Sequence, residues 1–289
     1  MGIEIIDAFK LIDERHRLSV RWLAEFQETH EGQSPIGLVI RCIDSRLYRI
    51  MSTDSINRII GKVLEYKTMG NTIDINNAKD RAVLIYFAKH LSKNIIKHGL
   101  RGGFILVEGH SDCGAVRLAH ENGSGIVSGY MKDALKSILA TTEYVFYVLK
   151  RNPNLIFNAV ESMVSEAALS AKTDLRKRFY PEMFYEKEVI EILRKQINPT
   201  KASMALHFYI CLINAMVQIF RILLVEDVRR HVEEGKLRLL VSLYDIFSAK
   251  TYYFVADHYA ILNELYRHSL NEAMIYALGK NIIDFFEEI

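Results

Sequence analysis

Five residues that form one continuous apolar run, Ile36-Gly37-Leu38-Val39-Ile40, lead straight into Arg41-Cys42-Ile43-Asp44-Ser45-Arg46. The segment before them, Gly32-Gln33-Ser34-Pro35, breaks any helix. A run this short with no polar alternation is the pattern of a strand buried on both faces, as in parallel sheets covered by helices. A cysteine, a carboxylate and a guanidinium then follow at the strand's carboxyl end, where open α/β sheets place their sites.

Downstream the same grammar repeats. A second strand is expected around Lys62 to Tyr66, after Gly61, and a helix from Ala78 to Lys97 carries apolar Val83, Leu84, Tyr86, Phe87 and Leu91. Phe104-Ile105-Leu106-Val107, behind Gly102-Gly103, reads as a third strand and Leu237 to Leu243 as a fourth. Strand alternating with helix predicts an α/β fold: a mostly parallel central sheet of about four strands flanked by helices. Thr251 to Val255 adds an edge strand by hairpin after Ser248-Ala249-Lys250.

The remaining segments read as helix. Residues 1–31 form an amphipathic arm, with Ile5, Ile6, Phe9, Leu18, Trp22 and Phe26 set between charges. Residues 121–200 form a helical insertion, with helices expected over Tyr130 to Lys150, Asn154 to Lys177 and Glu186 to Ile197. The chain is thus expected to be one domain: arm 1–31, core 33–120, insertion 121–200, a helix with the last strands over 201–255, and a helical extension over 256–289.

Composition narrows the partners. Half of the 289 residues are hydrophobic, enough for a large core, and 37 basic against 35 acidic side chains show no single-sign run. Nucleic acid and anionic membrane surfaces are therefore not expected partners. Glu4 and Asp7 interrupt the start, which lacks the pattern of a secretory signal, so a cytoplasmic location is the expectation. Three cysteines, Cys42, Cys113 and Cys211, do not make a disulfide scaffold. Ala202 to Val225 is long and apolar enough for a membrane, but His207, Asn214, Gln218 and Arg221 favour a buried helix.

Chemistry concentrates in two motifs at strand ends. Cys42-Ile43-Asp44-Ser45-Arg46 follows the first strand, and His110-Ser111-Asp112-Cys113-Gly114 follows the third. Parallel strands would bring both to one edge of the sheet. Two thiolates and one imidazole are a catalytic zinc ligand set that leaves a fourth position open. One cysteine alone would be read as a small core residue; the pair beside His110 favours metal. Cys211, with no ligand motif beside it, reads as core. In an extended segment Cys42, Asp44 and Arg46 would project to one side, placing a carboxylate by the metal with a guanidinium to hold it, or forming a plain loop ion pair.

C-x-D-S-R followed by H-x-x-C-G resembles the paired signature of the beta-class carbonic anhydrases. Gln33-Ser34-Pro35, Gly70-Asn71 within Lys67-Thr68-Met69-Gly70-Asn71, and the stretch from Glu234 to Tyr244-Asp245 resemble further parts of that family's pattern. Lys67, Thr68 and Met69 depart from it. The resemblance implies that Cys42, His110 and Cys113 hold Zn2+, and that a water acidified by the metal supplies the hydroxide that attacks carbon dioxide to give bicarbonate. It further implies that Asp44 and Arg46 are the catalytic pair, with Asp44 taking the fourth metal position in a closed state. Gly70, Asn71 and Gly114 then line the substrate pocket, and the assembly is a homodimer or higher even oligomer whose N-terminal arms wrap the partner. Two alternatives stand beside this: hydrolysis of carbon disulfide or carbonyl sulfide by the same centre, and a non-catalytic zinc-containing interaction protein.

Overall fold

A computed structural model describes residues 34–44, 47, 62–121, 129–149, 151–152 and 199–288. The expected arm and the helices over Asn154 to Lys177 and Glu186 to Ile197 lie outside these residues, as does Arg46. The described elements are β1 (Gly37–Cys42), β2 (Val63–Thr68), α1 (Ala78–Lys97), β3 (Gly103–His110), α2 (Gly114–Glu121) and α3 (Gly129–Leu149). They continue with α4 (Pro199–Leu223), α5 (Glu226–Glu233), β4 (Leu237–Tyr244), β5 (Thr251–Ala256), α6 (His258–Arg267), α7 (Leu270–Lys280) and β6 (Phe286–Glu288).

The sheet runs β2-β1-β3-β4-β5-β6. Its first four strands pair in parallel, and β5 and β6 add antiparallel at one edge. The expected α/β class holds, with six strands where about four and an edge were anticipated. Strand β1 is buried along its whole length, as its unbroken apolar run requires. Chain order reverses between β1 and β3, which makes their carboxyl ends the switch point of the sheet.

Local signals fix the helix boundaries. Asn77 caps α1 by accepting the Lys79 N–H at 2.9 Å. The helix stops at Gly99, whose φ of +64° permits the reversal, with Leu100 N–H closing onto Ile95 O at 3.0 Å. Ser269 and Glu272 form a capping box that starts α7.

Helix α4 packs against β3 and β4 and forms the centre of the core. Over Met204–Leu223 it is long and apolar enough to cross a membrane, yet this stretch is wholly buried inside the fold. Each buried Leu, Ile or Phe there contributes roughly 1.5–3 kcal/mol. Its polar residues are buried too, and two of them meet the candidate site directly.

Candidate metal centre

Cys42 is the last residue of β1 and His110 the last of β3, and these strands are parallel neighbours with Arg41 opposite Glu108. A two-residue loop then delivers Cys113, just before α2. The three candidate ligand atoms lie within 4.8 Å of one another and all three residues are buried. The two sulfurs are 3.9 Å apart. Two thiolates on one tetrahedral zinc, each at about 2.3 Å, would be about 3.8 Å apart. The pair is thus already spaced for a shared metal.

The imidazole is prepared in the same sense. His110 Nδ1 lies 2.9 Å from the Ser111 carbonyl oxygen, which can only accept, so Nδ1 carries the proton. Nε2 then presents its lone pair; it is buried and has no hydrogen-bond partner among the described residues. Asp44 Oδ2 lies 3.9 Å from it. A metal suits this donor set, because a buried orphan imidazole nitrogen beside two thiols otherwise leaves polar capacity unused.

The thiols polarise each other. A hydrogen bond from Cys113 brings the Cys42 thiol down to about 4, with His110 and the Asp44 backbone N–H adding to the effect against the opposing influence of burial. Cys113 is pushed well up, by that same bond and by burial. One thiolate and one thiol therefore share the site.

A second layer holds the ligand loop. Ser111 Oγ donates to Asp245 Oδ1 at 2.6 Å and accepts the Ile246 N–H at 3.0 Å. Fully buried Asp245 also accepts from Phe247 N–H at 3.2 Å, Ser248 N–H at 3.0 Å and Ser248 Oγ at 2.5 Å. The carboxylate thus ties the end of β3 to the turn after β4. Asp112 adopts a φ of +54° and pairs with Arg117. Sequence reading missed Asp245 as a support; the Asp-x-x-Ser spacing of a side-chain-capped turn was the available signal.

Beside β1 and β3 packs a 3-10 turn, Met69–Asn71. Gly70 has a φ of +64°, and a Cβ there would come within 2.5 Å of Ile138 Cδ1. Asn71 follows at +53°. Asn214 Nδ2 donates to Gly70 O at 2.8 Å, and Gln218 Oε1 accepts the Ile73 N–H at 2.9 Å. These α4 side chains were legible only as polar exceptions on an apolar helix. Gly114 stands exposed with open space around it.

The Leu47 N–H closes onto Asp44 O at 3.1 Å, and the expected alternation of Cys42, Asp44 and Arg46 runs through Ser45 and Arg46, outside the described residues. One expectation changes. Cys211 is buried as expected, but a histidine does lie beside it: His207 Nε2 is 3.6 Å from its sulfur, one turn earlier on α4. Burial pushes this thiol up to about 12, and the Cys113 backbone N–H bonds to it.

A family model described as carbonic anhydrase matches residues 37–193, more than half of the chain. No curated protein sequence matches it. Among solved structures, a beta-carbonic anhydrase of Sordaria macrospora, described as tetrameric, is 17% identical with a TM-score of 0.49, over 85% of this chain and 95% of that one. The Coccomyxa beta-carbonic anhydrase in complex with acetazolamide is 17% identical with a TM-score of 0.47, over 84% and 83%. A beta-carbonic anhydrase of Aspergillus fumigatus is 15% identical with a TM-score of 0.42, over 84% and 87%. These likenesses are loose, and family membership rests on the matched sequence.

Proposed function

The chain belongs to the carbonic anhydrase family, and from that premise we propose that it interconverts carbon dioxide and bicarbonate as a divergent beta-class member with zinc held by Cys42, His110 and Cys113. The observation that carries this reading is the ligand geometry: sulfurs 3.9 Å apart beside a buried imidazole whose Nε2 has no hydrogen-bond acceptor or donor of its own among the described residues, with the Asp44 carboxylate 3.9 Å away. Bound zinc would supply a Lewis acid that lowers the pKa of a water toward neutrality.

The chain's own residues do the rest. The Ser111 carbonyl fixes the His110 tautomer, and Asp245 holds Ser111. Asp44, its carboxylate 3.9 Å from His110 Nε2, accepts a hydrogen bond from the attacking water and orients its lone pair. The water oxygen bonds to the carbon, one C=O electron pair moves to oxygen, and a proton leaves to solvent. Gly70, whose positive φ and packing against Ile138 leave no room for a side chain, sets the turn that carries Asn71, and the buried Asn71 Nδ2, without a partner among the described residues, is assigned as a donor to the substrate. Arg46 is assigned to hold Asp44 on the resemblance of C-x-D-S-R. Assembly as a homodimer or higher even oligomer in the cytoplasm belongs to the same reading.

Stopped-flow hydration of carbon dioxide on metal-quantified protein tests it. Asp44→Asn should keep its zinc and lose on the order of a hundredfold in kcat/KM. Zinc-loaded wild-type protein that turns over carbon disulfide or carbonyl sulfide but not carbon dioxide would contradict the assignment.

A further inference from the structure

Two buried arginines among the described residues are treated differently. Arg41 sits between Glu65 and Glu108, each at 2.7 Å. Arg221, one turn beyond Gln218 on α4, is only 8% exposed, yet among the described residues it has no carboxylate within ion-pair distance. Its Nη1 donates to Ser137 Oγ and, at 3.0 Å, to Gln218 Oε1. Nε and Nη2 have no partner among the described residues, and neither is sealed from solvent. Burial brings this guanidinium down to about 10, with Asp74 pulling the other way, so it stays cationic at neutral pH. A buried cation lacking a carboxylate is costly, and its free N–H groups are sites for an anion.

Arg221 lines a half-open cavity of about 720 Å³ between the turn after β2, α3 and the end of α4. That volume is in the range of small-molecule sites. Nε and Nη2 form one edge of the guanidinium plane, spaced to receive both oxygens of a carboxylate. Ser137 and Thr72 add hydroxyls, and Met69 and Ala140 add apolar surface. The other charges on the wall are Lys136, Asp74 and Asp80. Asp80 accepts from Tyr66 OH at 2.5 Å and Asp74 N–H at 2.8 Å, and Asp74 accepts the Asn76 N–H at 2.9 Å. These carboxylates repel a multiply charged anion more than a singly charged one.

We propose that this cavity is a second ligand site, for a small monocarboxylate gripped by Arg221. It is separate from the metal centre but adjoins it, because Thr68 on its wall is the register partner of Cys42. The proposal does not rest on the hydration reading.

Titration of zinc-loaded protein with 13C-acetate, followed by NMR line broadening, tests it. A second series contains saturating azide, an anion that occupies metals. Binding should survive azide, weaken about tenfold or more in Arg221→Gln, and vanish in Ala140→Phe, which fills the cavity from α3 and leaves Arg221 in place. Circular dichroism checks that each variant is folded; if Arg221→Gln is not, Ala140→Phe decides. Absence of acetate binding, full displacement by azide, unchanged binding in Ala140→Phe, or tighter binding of inorganic phosphate than of acetate would each overturn the proposal.

Discussion

Cys42 and Cys113 stand 3.9 Å apart and divide one proton between them. Cys42, ordinarily titrating at 9.0, is held down to about 4 by the bond from Cys113, while Cys113 is pushed up by its role as donor and by burial. Taken through linkage, the depressed group contributes stability that is present above its ordinary value and is lost as pH falls through about 4; the raised group works in the opposite sense. Metal-free protein at neutral pH should therefore show one thiolate by absorbance at 240 nm, disappearing near pH 4. A spectrum with no thiolate at neutral pH would contradict the shared proton. These ligands were legible as residue types at strand ends. Their support was not, because Asp245 lies 134 residues from the Ser111 it holds and only the fold brings them together.

Helix α4 shows how an element can be read correctly in outline and incompletely in use. Its apolar run predicted burial, and the run is buried. Its polar positions looked like mere obstacles to membrane insertion, whereas Asn214 and Gln218 fasten the turn after β2 that carries Gly70 and Asn71. Replacing Gln218 by Ala strands the Ile73 N–H and should cost about 1–3 kcal/mol, read as a lower midpoint in urea unfolding. An unchanged midpoint would show that the clamp carries no load. At the far edge, β6 was not anticipated at all. Phe286-Glu287-Glu288 is too short and too acidic to signal a strand, and only pairing with β5 makes it one.

At the scale of the molecule, the parallel order β2-β1-β3-β4 converts two motifs some seventy residues apart into one site, since β1 and β3 are neighbours that end at the same edge. That much followed from apolar runs and their spacing. The buried Arg41, shared between Glu65 and Glu108 across three adjacent strands, did not, since it depends on a register no single strand reveals. The centre formed at this edge is the proposed catalyst. Zinc should be titrated into chelator-stripped protein while the carbon dioxide hydration rate is followed. The rate should rise in proportion to bound metal and level off at one zinc per chain, and Cys113→Ser should neither retain the metal nor gain the rate. Full zinc loading with no hydration, or hydration that persists without zinc, would contradict it.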